Sequence, residues 1–263
     1  MSAPTSPLFL ERYELKYFIP FELVEPISRY VSAYCEMDYY SKIAPDNFYI
    51  INSLYFDTPR LHILQSKVNS GFHKFNLRVR GYGERPLAPV FFEAKHNVGS
   101  FVKKKRAKVN RENWPDLFIG HLPFYEDSET INQKFLIHFL DLAEIYNAKP
   151  RILTQYRRKA YLSVIDEYAR VTFDRDLRYQ LEENYNVIPD DKKMSHYDNP
   201  NSFKNMRKNI VLELKCERKI PVWFLDLIRK FQLVELDFSK FNQGMETAYG
   251  QEHKAFSLYR NPH

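Results

Sequence analysis

The sequence predicts an antiparallel α+β fold, and three observations carry that expectation. Strand-like runs outnumber helical ones, aromatic residues make up 16% of the chain with 21 Phe and 19 Tyr, and there are only 7 glycines. Aromatic and β-branched side chains suit a pleated, half-buried surface. Strands interrupted by helices at intervals point to α+β layering, with a barrel as one way of closing the sheet.

Residues 1–10 form a polar, proline-punctuated tail that is expected to be mobile. Residues 11–19 alternate and read as the first strand. Pro20 then starts a helix over 21–35, with Leu23, Ile27, Tyr30, Val31 and Tyr34 at helical spacing. Residues 48–56 are a strand stopped by Asp57-Thr58-Pro59. Asp57 is expected to cap that turn rather than to bind a metal. Further strands are expected at 74–81, 90–96 and 101–110. The clearest amphipathic helix lies at 128–147, with Phe135, Phe139, Leu142 and Ile145 on one stripe.

Two more strands, 151–164 and 169–177, flank a turn at 165–168. Residues 182–209 are polar and lysine-rich and read as an exposed loop. A strand at 210–218, a helix from 221 to about 232 and a last helical stretch at 238–249 complete the chain. No repeat or linker divides it, so 11–263 is expected to be a single domain.

Composition removes several classes. No run approaches the ~18 apolar residues of a membrane helix, and the opening residues lack the basic and apolar regions of a signal peptide. Neither GxxxxGK[ST] nor GxGxxG occurs, which excludes a Walker-type ATPase. The eight histidines form no HExxH and have no zinc-like spacing. Cys35 and Cys216 form neither a CxxC pair nor a disulfide framework, so a reducing, cytoplasmic compartment is expected.

The informative charges sit inside the strands, where residues i, i+2 and i+4 share a face. Arg12, Glu14 and Lys16 share one face, as do Arg78 and Arg80, Glu93 and Lys95, and Lys103 and Lys105, with Lys104 and Arg106 opposite the last pair. Tyr156, Arg158 and Ala160 fall together, as do Arg170, Thr172 and Asp174, and Glu213 and Lys215. A single strand of this kind is the wet face of a half-exposed sheet. Repeated on many strands, like charges at spacing two repel unless an anion lies between them. A ring of such strands makes a cationic cavity with a few carboxylates, suited to multivalent anions and a divalent metal.

Those residues fall in ERYELKY, NSLYFDTP, LRVRGYG, FFEAKH, VKKKRAKV, QYRRKAY, RVTFDRDL, VLELK and FSKFNQG, spread over almost the whole chain. In order and spacing the set resembles the triphosphate tunnel metalloenzymes, the CYTH-like superfamily, and within it the VTC-type polyphosphate polymerases. The resemblance implies a closed antiparallel β-barrel forming a tunnel, with helices packed outside. It implies phosphate contacts from Lys16, Arg78, Arg80, Lys95, Lys103, Arg158, Arg170 and Lys240, with Lys105 and Ser239 as secondary members. Within that set, Arg78, Arg80, Lys95, Arg158 and Arg170 are the expected catalytic group.

The resemblance also implies Mn²⁺ or Mg²⁺ on Glu213, with Glu14 and Glu93 as further carboxylates that could equally neutralise nearby lysines. The run of three lysines before Arg106 leaves the register there open by one residue. The wider superfamily opens with Glu-x-Glu-x-Lys, and this chain has Arg12 in the first glutamate position. That departure weakens a water-activating two-metal site and points to the polymerase branch.

The expected activity is transfer of the ATP γ-phosphoryl group onto polyphosphate, with ATP and polyphosphate or pyrophosphate as partners and no nucleic acid. A tunnel triphosphatase and a non-catalytic polyphosphate-binding module are the alternatives. No membrane span of its own is expected, and a separately encoded membrane partner stays open. Eukaryotic polymerases of this branch carry an N-terminal regulatory domain and a C-terminal membrane portion, neither of which is expected within these residues.

Overall fold

The computed structural model describes residues 12–68, 73–85, 89–98, 101–110, 112–119, 130–197, 210–217, 219–236 and 238–252. The expected tail at 1–10 and part of the expected loop at 182–209 lie outside these residues. The chain runs β1 (Arg12–Ile19), α1 (Val24–Val31), β2 (Cys35–Met37), α2 (Tyr39–Ile43), β3 (Tyr49–Asp57) and α3 (His62–Val68). It continues through β4 (His73–Tyr82), β5 (Val90–Val98), β6 (Phe101–Val109), α4 (Ile131–Ile145), β7 (Lys149–Ser163) and β8 (Ala169–Leu181). β9 (Ser195–His196), β10 (Ile210–Glu217), α5 (Val222–Lys230) and α6 (Lys240–Glu252) complete it.

One antiparallel sheet organises the molecule, in the order β1-β10-β8-β7-β3-β4-β5-β6, with β2 on β7 and β9 on β8. The α+β class stands, but the expected closed barrel does not. The sheet curls into a half-barrel that stays open, because no ladder joins β1 to β6 among the described residues. The reason lies on the outer edge of β1. The backbone N–H of Leu236 donates to Lys16 O at 2.9 Å, and Tyr17 bridges Glu235. A segment beyond α5 thus occupies part of the edge that a closing strand would need, which also protects it from stray pairing.

Alternation sorts the strand residues into two faces. Outside, β1, β10, β8 and β7 send Tyr17, Leu212, Leu214, Val171, Phe173 and Tyr161 into a core covered by Ile27 and Val31 of α1 and Trp223, Phe224 and Leu227 of α5. The outer faces of β3–β6 bury Leu54, Leu77, Val79, Phe92 and Ala107 under Phe135 and Phe139 of α4. That helix starts at a capping box between Thr130 and Gln133, which satisfies donors at its free end.

Inside the curl, α6 lays Phe241 and Met245 against Ile51, Tyr55, Tyr156 and Val211. Gly244 permits this approach, since a Cβ there would stand 2.6 Å from Tyr197 Oη and 2.7 Å from Ile152 Cδ1.

Several boundaries differ from the sequence expectation. The helix expected over 21–35 ends at Val31, and Cys35 instead opens β2, paired with Ser163 of β7. Tyr34 keeps its helical-face contact by stacking on Trp223 at 5.0 Å. The short helices α2 and α3 are too brief to show a period. Residues 182–197 are not simply an exposed loop, because Val187 and Tyr197 are buried and β9 pairs with β8. Asp57 does cap: its carboxylate accepts from the N–H groups of Thr58, Ile63 and Leu64 at 2.6–2.9 Å.

Candidate functional site

The inner face of the curl encloses a cavity of about 190 Å³. Strand register dictates its lining. On β1 and β10, Lys16 pairs with Glu213 and Glu14 with Lys215. β8 adds Arg170, next to Lys215, and Asp174 lies beside Arg158 of β7. β4 contributes Arg78 and Arg80, paired across β3 with Tyr55 and Ser53. β5 and β6 bring Glu93 opposite Arg106 and Lys95 opposite Lys104. Ten lysines and arginines line the cavity, against two carboxylates, Glu14 and Glu213.

Of the expected residues, Lys16, Arg78, Arg80, Lys95, Arg158, Arg170, Ser239, Lys240, Glu14 and Glu213 all border this space. Lys103 and Lys105 do not; Lys104 and Arg106 take that place. Ala107 and Val109 are buried in the outer core, so the residues in phase with them, Lys103 and Lys105, face outward too. That apolar pair was the signal that could have settled the register. Lys215, Tyr49, Tyr55, Tyr82 and Tyr156 also line the cavity, outside the expected set.

Three buried carboxylates, in two hubs, organise the cations. Glu93 is 1% exposed and lies behind the lining. Its Oε2 meets Arg78 at 2.7 Å and Arg80 at 3.9 Å, while its Oε1 meets Lys104 at 2.5 Å and Arg106 at 3.3 Å. Burial alone would raise its pKa, but Arg80, Lys104, Arg78 and Arg106 outweigh burial and hold the carboxyl well below its usual range. Glu93 does not border the cavity, so of the two roles expected of it, metal ligand and neutraliser of nearby cations, its position fits the second.

The second hub joins Asp174 and Glu213. Arg158 grips Asp174 with two hydrogen bonds of 2.6 and 2.7 Å and reaches Glu213 at 3.3 Å. Lys240 sits 2.7 Å from Asp174 and 3.1 Å from Glu213, and Lys215 lies 2.7 Å from Glu213. Against burial, Lys215, Lys240, Arg158 and Lys16 hold the Glu213 carboxyl well below its usual range. Burial pulls Lys215 down to about 8 although Glu213 and Glu14 favour its charge.

The remaining contacts fix orientation. Arg78 donates to Tyr55 Oη at 2.9 Å and Arg80 to Tyr156 Oη at 3.3 Å. Lys16 donates to Phe238 O at 2.6 Å, and Arg170 pairs with Asp38 at 3.0 Å. These side chains are pre-set, so an arriving anion costs little reorganisation.

Among the described residues no three His, Cys, Asp or Glu side chains come together. A divalent ion here would depend on phosphate oxygens for most of its shell, as Mg²⁺ does when it takes one or two carboxylates. Glu213 and Glu14, diagonal neighbours across β10 and β1, are the two carboxylates that border the cavity, and a metal on Glu213 would share its oxygens with Lys215, Lys240 and Arg158.

A family model for the VTC domain matches residues 11–249. Subunit 4 of the vacuolar transporter chaperone complex of Trypanosoma brucei brucei is 26% identical over 234 residues, covering 76% of this chain and 28% of that protein. The chain therefore spans little more than a quarter of that relative's length. Among solved structures, a Bacillus halodurans protein named as a candidate adenylate cyclase matches with 13% identity and a TM-score of 0.49, over 89% of this chain and 96% of its own. The Mimivirus capping enzyme triphosphatase matches with 11% identity and a TM-score of 0.35, over 86% and 89%.

Proposed function

The chain belongs to the VTC-domain family, and on that premise we propose that it is a phosphotransferase moving the γ-phosphoryl group of ATP onto a polyphosphate chain. The observation that carries this reading is the cavity itself, where ten cationic side chains face two carboxylates across a confined space. With Glu93, Asp174 and Asp38 counted behind the lining, ten cations still meet only five carboxylates, an excess that suits a polyanion better than a neutral or singly charged ligand.

Phosphoryl transfer asks the protein for position and charge rather than for a side-chain nucleophile. Arg78, Arg80, Arg158 and Arg170 offer forked donors matched to phosphate oxygens. Lys16, Lys95, Lys104 and Lys240 add point charges along the same wall. The acceptor is a terminal phosphate oxygen that is already anionic near neutral pH, so no general base has to remove its proton. Glu213 and Glu14 would hold Mn²⁺ or Mg²⁺ together with phosphate oxygens, offsetting charge on the transferred group.

Hydrolysis is the second reading. It needs an activated water, for which two-metal sites use several clustered carboxylates. Arg12 stands where a further glutamate would be, and no three acidic or imidazole groups cluster among the described residues. Both features favour transfer. No helix among the described residues is long and apolar enough to cross a membrane.

Incubation with ATP and Mn²⁺ or Mg²⁺, followed by separation of products by size, tests the proposal. Long anionic polymer with release of ADP is expected. Free phosphate alone would replace transfer with hydrolysis, and tight binding without turnover would leave a binding module.

A further inference from the structure

The basic cavity borders a cluster of rings that phosphate binding does not use. Tyr49 and Tyr82 line the cavity. Tyr40 of α2 packs against both, its ring centroid 5.8 Å from Tyr49 and 6.2 Å from Tyr82, the second nearly parallel at 11°. Tyr40 is nevertheless 50% exposed, and Tyr39, edge-on to it at 5.6 Å, is 61% exposed. A helix of five residues thus holds two large aromatic side chains partly in water, beside the cavity. Such rings normally go into a core, where their apolar area stabilises the fold.

The rings are held by the cations of the cavity. Arg170 donates to Tyr49 Oη at 3.3 Å and pairs with Asp38, which caps α2. Arg106 donates to Tyr82 Oη at 3.0 Å and lies 3.8 Å over the ring of Phe91, which meets Tyr82 edge-on at 5.5 Å. Charge and ring face are therefore built as one unit, with the phosphate-facing guanidinium groups locking the aromatic surface beside them.

We propose that Tyr40, backed by Tyr82 and Tyr49, is the docking face for the nucleobase of a nucleoside triphosphate whose phosphates occupy the cavity. This rests on the phosphotransferase reading and goes beyond it by assigning the non-phosphate end of the donor. An inorganic phosphate chain has no flat apolar surface to offer these rings. A nucleotide joins such a surface to a triphosphate. Stacking uses ring faces, which every base has, so adenine and guanine nucleotides bind alike.

The test titrates wild type, Tyr40→Ala and Tyr40→Phe with ATP and, separately, with inorganic tripolyphosphate. Removing the ring should weaken ATP about five- to tenfold, the loss of one stacking partner, and leave tripolyphosphate affinity unchanged. Tyr40→Phe keeps the ring and should bind both as wild type does. ATP affinity untouched in Tyr40→Ala, or an equal loss for both ligands, would overturn the docking face while leaving the phosphotransferase reading in place. A wild-type protein that binds neither ligand would overturn that reading, and the docking face with it.

Discussion

Lys95 of β5 and Glu14 of β1 meet at 2.7 Å across the open border of the sheet. No ladder runs between β1 and β6 among the described residues, so a side-chain pair links what the backbone leaves unjoined. Both residues also line the cavity. The rim that links the half-barrel and the wall that meets the ligand are therefore the same groups.

Lys95→Ala separates those two roles. The pair is only about one-fifth exposed, 21% and 19%, so losing Lys95 costs more than the ~1 kcal/mol of an exposed surface pair. A charge-assisted contact to phosphate is about 1.5–3 kcal/mol. Thermal-shift titration with ATP or pyrophosphate should show a lowered Tm without ligand and most of the ligand-induced shift gone. A lower Tm with the shift intact would confine Lys95 to joining the strands.

The two glutamate hubs should respond differently to the same substitution. Glu93→Gln leaves Arg78, Arg80, Lys104 and Arg106 without their shared anion, and breaking a buried pair in this way costs about 3–5 kcal/mol. The depressed pKa of Glu93 means that its stabilisation is present above the ordinary carboxylate range and is lost as pH falls through the lowered value. The Tm gap between wild type and Glu93→Gln should therefore close only in strong acid.

Glu213→Gln should also lower Tm, because Lys215, Lys240 and Arg158 lose a shared anion, but it should keep phosphate binding, since it removes a competing negative charge, and lose metal-dependent turnover. Binding, Tm and turnover measured together decide the matter. A variant that turns over normally but melts early would move the metal to another carboxylate.

Affinity should fall as pH rises from 7 to 9. Lys215, pulled down to about 8 by burial, is mostly charged at the lower pH and mostly neutral at the higher. A polyanion favours the charged form, so tripolyphosphate binding weakens by up to ~tenfold across that range. Lys215→Arg stays charged throughout and should flatten the profile. Stability runs the other way. A lysine whose folded pKa lies below its unfolded value destabilises the fold while protonated, and that penalty fades between about pH 8 and the ordinary lysine value.

Register can be checked with neighbouring lysines. Lys104→Ala should weaken triphosphate binding, because Lys104 lines the cavity, whereas Lys103→Ala should not. Calorimetric titration of the two variants against tripolyphosphate gives the comparison directly. The reverse order would mean that β6 is threaded one residue out.

Much of this architecture was legible beforehand. Residues 11–19 and 90–96 read as strands because their alternation is local, and β1 and β5 follow them closely. Asp57 was readable as a cap, because a carboxylate after a strand and before Thr-Pro finds backbone donors within a few residues. Lys103 was misplaced because four consecutive basic residues carry no alternation of their own. The brief helix α2, which presents Tyr40, was not foreseen, since five residues are too few to establish a period.

What the sequence by itself determined is which side chains share a face: Arg78 with Arg80, Glu93 with Lys95, Glu213 with Lys215. A strand's period of two requires nothing beyond the strand. Which faces meet was decided only in three dimensions. Glu93 collects Arg78 and Arg80 from β4 and Lys104 and Arg106 from β6, and Asp174 is shared by Arg158 and by Lys240 from far along the chain. Closure was decided there too, because the backbone of Leu236 takes the Lys16 carbonyl that a closing ladder would have used. Charge pairing and edge pairing act through space between distant segments, and no local pattern in the chain records which of them will come within a hydrogen bond of each other.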